Sequence, residues 1–248
     1  VDAAVEEGDV IEVVLLADGA PVAKAEGGEV VLSVPDMKLW SPADPYLYDL
    51  EIKVLRDGAA IDCVKGYTAM RKISYARDDA GHKRMLLNNQ PLFQYGPLDQ
   101  GWWPDGLYTA PSDQALAFDI EKTKEMGFNL IRKHVKVEPA RWYWHCDRLG
   151  MLVWQDMPSI ADNSSGIWGN RAYDTGTDSQ VTEEGKANYY KEWSEIIEAF
   201  KPFPCIISWV PFNEAWGQFD TEEVVKFTRA LDPTRLINYA SGGNFIKC

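Results

Sequence analysis

The sequence lacks most of what would place it in a membrane, on a nucleic acid or around a metal. No apolar run approaches the roughly 18 residues needed to cross a bilayer. The longest clear apolar cluster, residues 205–212 (CIISWVPF), has the length of a strand. Residues 1–7 (VDAAVEE) carry no basic region, no apolar signal core and no initiator methionine, so the expectation is a piece cut from a longer chain. Basic charge is in deficit: 25 Lys and Arg stand against 38 Asp and Glu, a net charge of −13. That excludes the basic surface a nucleic-acid partner requires. The four cysteines (Cys63, Cys146, Cys205, Cys248) are far apart and form no CxxC pair, which argues against a metal or redox motif. Cys146 and Cys205 read instead as small buried hydrophobes. No GxGxxG or Walker loop is present to cradle a nucleotide. No metal site and no cofactor are expected, and the compartment stays open.

What is there is a globular composition, with 46% hydrophobic and 25% charged residues. Aromatics are abundant, including ten Trp, and many stand beside Gly, Pro, Asp or Asn rather than in periodic runs. Rings in such places serve either as core or as platforms on which apolar sugar faces stack. Composition leaves both open.

Residues 1–80 read as β structure. Residues 10–16 (VIEVVLL), 29–34 (EVVLSV), 48–55 (YDLEIKVL) and 60–64 (AIDCV) are strand-like, with Asp18-Gly19 and Asp57-Gly58 as turns. About five strands of an immunoglobulin-like β-sandwich are expected where about seven complete one. From residue 81 to 248 the pattern changes to strand then helix. Strands are expected at 92–95, 129–134, 151–155, 206–210 and 236–240. Helices are expected from Ser112 to Met126, Pro139 to Leu149, about 186 to 200, and Thr221 to Leu231. Units of roughly 33 residues with short buried strands suggest the first five strands of a (β/α)8 TIM barrel; an open doubly wound sheet is the competing arrangement. A partial barrel would leave two open parallel edges, which invite self-association into a homo-oligomer.

Polar residues recur at the C-terminal ends of the expected strands, where a barrel builds its active face. These are Asp99 and Asp105, Arg132 and His134, Gln155 and Asp156, Asn213 and Glu214, and Tyr239 and Ser241. Trp103 sits among the first group. The long segment after Met157, which contains Trp168 and Tyr173, has the length of a functional loop. The sharpest run is 206–217 (IISWVPFNEAWG), which delivers Asn213-Glu214 from a buried strand between Trp209, Phe212 and Trp216. Cleaving a glycosidic bond needs a carboxylic acid to protonate the leaving oxygen and a second carboxylate opposite. Burial beside aromatics is one way such an acid keeps its proton near neutrality. Capping of the following helix is the alternative role for Glu214. Glu183, Glu184, Glu222 and Glu223 read as solvated acids at helix starts.

Taken together, these segments resemble the family 2 glycoside hydrolases. Residues 39–48 (LWSPADPYLY) are similar to that family's immunoglobulin-like domain, and 87–96 (LNNQPLFQYG) to the run that opens its barrel. Residues 127–132 (GFNLIR), 150–154 (GMLVW), 212–216 (FNEAW) and 232–235 (DPTR) follow in the family's order. The resemblance is to β-galactosidase-like members of carbohydrate-degrading bacteria. It implies a retaining hydrolase of β-glycosides that needs no cofactor, with Glu214 as acid/base, Asn213 contacting the sugar 2-hydroxyl and Arg132 orienting the nucleophile. It also implies substrate-binding places for His134, Asp156, Trp216, Trp103, Asp105 and Tyr239. Where the family often has His-Tyr-Pro, this chain reads 132–139 (RKHVKVEP). The family's nucleophile is a Glu on a seventh strand, so it is expected outside residues 1–248. A carbohydrate-binding relic of the same fold, without catalysis, is the alternative.

Overall fold

The computed structural model describes residues 1–159, 178–179, 181–214 and 217–242. The chain divides into two compact units, Val1–Arg71 and Lys72–Cys248.

The first unit is one antiparallel sheet of four strands: β1 (Val10–Ala17), β2 (Ala20–Glu26), β3 (Tyr48–Arg56) and β4 (Ala59–Thr68), in the order β2-β1-β3-β4. Two hairpins are closed by Asp-Gly pairs. Asp18 and Gly19 have φ of 51° and 81°, and Asp57 and Gly58 have 51° and 78°. Two successive positive-φ residues match the twist of the flanking strands. The first of these turns also explains a departure from expectation. It folds residues 20–26 straight back onto β1, so residues 29–34 have no ladder to join, and Val31 is 95% exposed. Central β1 buries Val13, Val14 and Leu15, and Trp40 and Tyr48 complete this core.

The second unit opens with a three-stranded antiparallel sheet of β5 (Ile73–Arg77), β6 (Lys83–Leu87) and β7 (Gln90–Pro91). Strands and helices then alternate: β8 (Leu98–Asp99), α1 (Asp113–Glu125), β9 (Leu130–Lys133), α2 (Ala140–Leu149), β10 (Leu152–Asp156), α3 (Glu183–Phe200), β11 (Ile206–Val210), α4 (Thr221–Leu231) and β12 (Leu236–Ile237). The sheet is parallel, in the order β12-β11-β10-β9-β8. Each strand lies beside its sequence neighbours, with none of the reversal that marks a doubly wound sheet. This is the winding of a (β/α)8 barrel.

One strand is displaced from its expected place. Residues 92–95 lie outside the ladder, and Leu98–Asp99 pair with β9 instead. Tyr95 and Asn129 are tied by two bonds, from Tyr95 N–H to Asn129 Oδ1 (2.9 Å) and from Asn129 N–H to the Tyr95 carbonyl (3.0 Å). Gly96 then passes so close to β9 that a Cβ there would collide with the Leu130 carbonyl. The chain enters the sheet only beyond this crossing.

Helix ends follow their sequence signals. Ser112 Oγ and Thr182 Oγ1 accept from Ala115 and Gly185 N–H, each at 3.1 Å, and Gly150 closes α2 at φ 71°. Glu183, Glu184, Glu222 and Glu223 occupy first turns of helices. All five residues of β11 are buried, as are Cys146 and Cys205. Trp193 packs edge-on against Trp209 with ring centroids 5.6 Å apart. Those rings, with Trp40 and Trp142, settle part of the aromatic count as core. No described helix is long and apolar enough to cross a membrane.

Between α4 and β12, Asp232 and Arg235 form a buried pair with Nη1···Oδ2 of 2.6 Å. Arg235 also donates to the carbonyls of Ile206, Lys201 and Phe203, tying the start of β11 to the end of α3. Burial pushes the Asp232 carboxyl up. The Arg235 charge, Thr234 and the Trp209 indole N–H (2.9 Å) outweigh it and hold the carboxyl at about 2. A carboxyl depressed in the folded state contributes stability that is complete above its unfolded value and is lost as pH falls through the folded one. Asp232→Asn strands a buried guanidinium and is expected to cost about 3–5 kcal/mol in urea unfolding at neutral pH. The gap from the parent protein should narrow between about pH 4 and pH 2, and a gap that stays constant with pH would refute the pairing.

Candidate active site

The C-terminal ends of β9, β10 and β11 bring three of the expected residues into one hydrogen-bonded group. Arg132 lies on the same layer as its cross-strand partners Leu98 and Trp154, and as Ser208, which pairs with Trp154. Its guanidinium grips Asp156 in a fork, Nε to Oδ1 at 2.9 Å and Nη2 to Oδ2 at 2.7 Å. The same Nη2 donates to Asn213 Oδ1 at 2.7 Å. A guanidinium has no acceptor, so the Asn213 atom facing it is the oxygen, and the Asn213 NH2 points elsewhere.

Asp156 is 0% exposed. Burial pushes its carboxyl up, against the Arg132 bonds and charge and a 3.2 Å bond from Val135 N–H. With both oxygens engaged, Asp156 anchors the guanidinium. Val135 itself has φ of 46°, an expensive conformation for a β-branched residue. The strain sits one residue after His134, where the chain turns off β9 and delivers that N–H to Asp156.

Glu214 follows Asn213 at the mouth of β11 and is partly buried. The backbone there is laid beside the run after β12: Phe212 N–H donates to the Tyr239 carbonyl (3.2 Å), and Ser241 N–H to the Asn213 carbonyl (3.0 Å). Phe212 stacks on Tyr189 at 5.4 Å. Trp209, expected to flank Glu214, faces the helix layer instead, since residues alternate along a strand.

The remaining expected residues are placed differently. His134 Nδ1 is 3.1 Å from Gln100 Nε2, and His134 N–H donates to the Asp99 carbonyl, so His134 belongs with the loop after β8. Trp103 closes that loop by exchanging backbone bonds with Leu107, and its indole nitrogen is buried. Asp105, at the loop tip, is exposed. Tyr239 lines a cavity of about 380 Å³ with Trp154, Ser208 and Asn238. Trp216, Trp168 and Tyr173 lie outside the described residues.

Sequence reasoning missed a second charged group beside the first. Lys133 and Lys136 are 1% and 3% exposed and Glu138 is 4%. Lys133 pairs with Asp99 (2.5 Å) and Glu138 (2.9 Å), and Lys136 pairs with Glu138 (2.9 Å). Lys136 also donates to the carbonyls of Gly101 (2.6 Å) and Tyr108 (2.9 Å), the two ends of the loop that carries Trp102, Trp103 and Asp105. Behind them, Tyr143 OH donates to Gln155 Oε1 (2.5 Å) and Gln155 Nε2 to the Lys136 carbonyl (2.7 Å). The signal was in the sequence: Lys136 and Glu138 alternate with Val135 and Val137 directly after a buried strand.

Such an arrangement can present an amide NH2 and an adjacent carboxyl to a ligand at the sheet mouth, beside an aromatic loop. Comparison with known proteins gives the same direction. Residues 82–247 match the model described as "Glycosyl hydrolases family 2, TIM barrel domain", and residues 4–71 match "Glycosyl hydrolases family 2". A β-galactosidase of Vibrio cholerae is 26% identical over 221 residues, covering 86% of this chain and 19% of that protein. The solved β-D-glucuronidase of Dictyoglomus thermophilum is 26% identical at a TM-score of 0.77, covering 93% of this chain and 39% of the other. The β-glucuronidase of Ruminococcus gnavus solved with D-glucuronic acid shares the fold, at 23% identity and a TM-score of 0.75 over 94% of this chain and 38% of the other. The chain thus spans about a fifth of the length of the curated relatives it matches.

The Lys136 staple is open to a direct test. Lys136→Met removes both loop bonds while Lys133 still neutralises Glu138. Amide hydrogen exchange over residues 101–109 should speed up by at least tenfold, with α4 unchanged. Unaltered protection in the loop would show that the ammonium does not hold it.

Proposed function

We propose, from the premise that this chain belongs to glycosyl hydrolase family 2, that it supplies the acid/base half of a retaining β-glycosidase site. The observation that carries the reading is the Arg132–Asp156–Asn213 group, which sets Asn213-Glu214 at the end of a buried barrel strand. In this reading Glu214 protonates the glycosidic oxygen as the bond to the sugar's anomeric carbon breaks. A second carboxylate, about 5–5.5 Å away in a retaining enzyme, forms the glycosyl ester. We place that nucleophile outside residues 1–248, on a later barrel strand. Glu214, now ionised, takes a proton from water as the water attacks the anomeric carbon and the ester breaks. The Asn213 NH2 donates to a sugar hydroxyl, with 2-OH the natural partner beside the anomeric carbon. Arg132, besides holding Asn213, places positive charge where the nucleophile must stay ionised.

The substrate we propose is a β-galactoside or a β-glucuronide, the two classes named among the relatives. In this proposal His134 and the Trp103–Asp105 loop form one wall of the sugar site, and Trp216 and Tyr239 are further substrate-binding residues. A carbohydrate-binding role without catalysis is the second reading. It is favoured by the state of the second carboxyl in the group: Asp156 is buried with both oxygens taken up by Arg132.

Chromogenic β-galactoside, β-glucuronide and β-mannoside should be assayed with the 248-residue chain and with a protein carrying a complete barrel. The complete barrel should turn over at least one of them, and Glu214→Gln should lower kcat/KM by about 10²–10⁴. The loss should be smaller for a leaving group that needs no protonation. Binding of these glycosides without turnover by either protein would select the second reading, and an equal loss for all leaving groups would remove Glu214 from the acid role.

A further inference from the structure

Two residues just beyond β12 touch the Asn213-Glu214 pair and have no assigned part in the chemistry. Ser241 N–H donates to the Asn213 carbonyl at 3.0 Å. Its hydroxyl makes a second, short bond to the same carbonyl and stands 3.2 Å from Asn213 Oδ1. One hydroxyl therefore sits between the main-chain and side-chain oxygens of Asn213, while Arg132 holds Oδ1 from the other side at 2.7 Å. Next to it, a Cβ built on Gly242 would stand in ordinary contact with Glu214 Cγ, at 3.8 Å.

We propose that Ser241 is a positioning residue: by holding the Asn213 carbonyl through its N–H and hydroxyl, it keeps the Asn213 side chain where Arg132 takes its oxygen and the NH2 is left for the ligand. Turning the amide over would bring its NH2 against the guanidinium, donor to donor. Arg132 disfavours that turn. Ser241 adds a restraint of another kind: its N–H and hydroxyl fix the peptide from which the side chain springs. Because each Ser241 contact comes from the fifth strand's loop and each Arg132 contact from β9, the amide is set by two elements on opposite sides of β11. The ligand class follows: the group facing Asn213 must be a hydrogen-bond acceptor, as a sugar hydroxyl oxygen is. This deepens the proposed glycosidase reading and, for the ligand, rests on it.

The test uses the 248-residue chain labelled with ¹⁵N, the Asn213 side-chain signals being assigned by their loss in Asn213→Ala. Ser241→Ala keeps the backbone bond to Asn213 and deletes the hydroxyl. Its Asn213 NH2 signals should shift or split into two conformers, the Arg132 Nε–H signal should stay in place, and Ser241→Thr should restore the original pattern. Ser241→Gly must repeat the effect of Ser241→Ala. Asn213 signals unchanged in Ser241→Ala, or a change that Ser241→Thr does not reverse, would overturn the proposal. In a protein with a complete barrel, Ser241→Ala should lower kcat/KM about tenfold for a hydrolysed β-glycoside and much less for its 2-deoxy analogue. An equal loss for both would count against it. If no glycoside is hydrolysed, the glycosidase reading fails, while the Asn213 signals still decide whether Ser241 sets the amide.

Discussion

Charge removed from water must be paired where it is buried, and the second unit depends on that constraint at both ends of its parallel sheet. At one end, the Asp232–Arg235 pair collects carbonyls from α3 and β11 and receives the Trp209 indole, so a single ion pair gathers three elements. At the other end, Arg132 is held by Asp156, and Lys133 and Lys136 share Glu138 and Asp99. Removing one member of the Asp232–Arg235 or Arg132–Asp156 pair leaves a charge in low dielectric, where the cost is several kcal/mol, whereas Glu138 keeps one lysine if the other is lost. Chemistry-bearing groups placed in such a frame lose little freedom when a ligand arrives, since their geometry is already set.

Much of this was legible from the chain. The periodicity and caps around Ser112, Pro139, Gly150 and Thr221 located helices to within a few residues, because capping is local chemistry. Of the polar residues read at strand ends, Arg132, Asp156 and Asn213 proved to be neighbours although 81 positions separate the first from the last. Residues 29–34 and 92–95 were misplaced for one reason: strand character is a property of the partner as well as the segment. An Asp-Gly turn gave β1 an earlier partner, and the Gly96 crossing delayed entry into the sheet. The Lys133–Lys136–Glu138 group escaped notice because lysines after a strand look like solvated surface until the fold buries them.

Two units of different character stand side by side in the sequence, and the family models divide it similarly, at residues 4–71 and 82–247. Everything argued about chemistry lives in the second. Within it, the aromatic abundance that composition left undecided splits by location. Trp142, Trp193 and Trp209 are structural ballast between sheet and helices, while Trp102 and Trp103 sit on the loop after β8. Position relative to the sheet, more than residue type, separates a ring that holds the fold from one available to a ligand.

Gly101 carries an implication for how this site can change. It has φ of 64°, and a Cβ there would run into Glu138 Oε1 and Lys136 Nζ, so any other residue at position 101 would be strained and would displace the buried anchor. Tyr108, at the loop's far end, is held through its carbonyl and a ring 4.9 Å from Lys136, and packs edge-on against Trp102 at 4.4 Å. The residues between are exposed or half-exposed. The loop is therefore a replaceable insert in a fixed socket. Gly106 is closed in its turn, since a Cβ there would collide with the Thr109 carbonyl, so mutation is free to rewrite Trp102 to Asp105 and with them the shape of the rim. In the proposed reading, ligand preference and reaction chemistry can then drift independently.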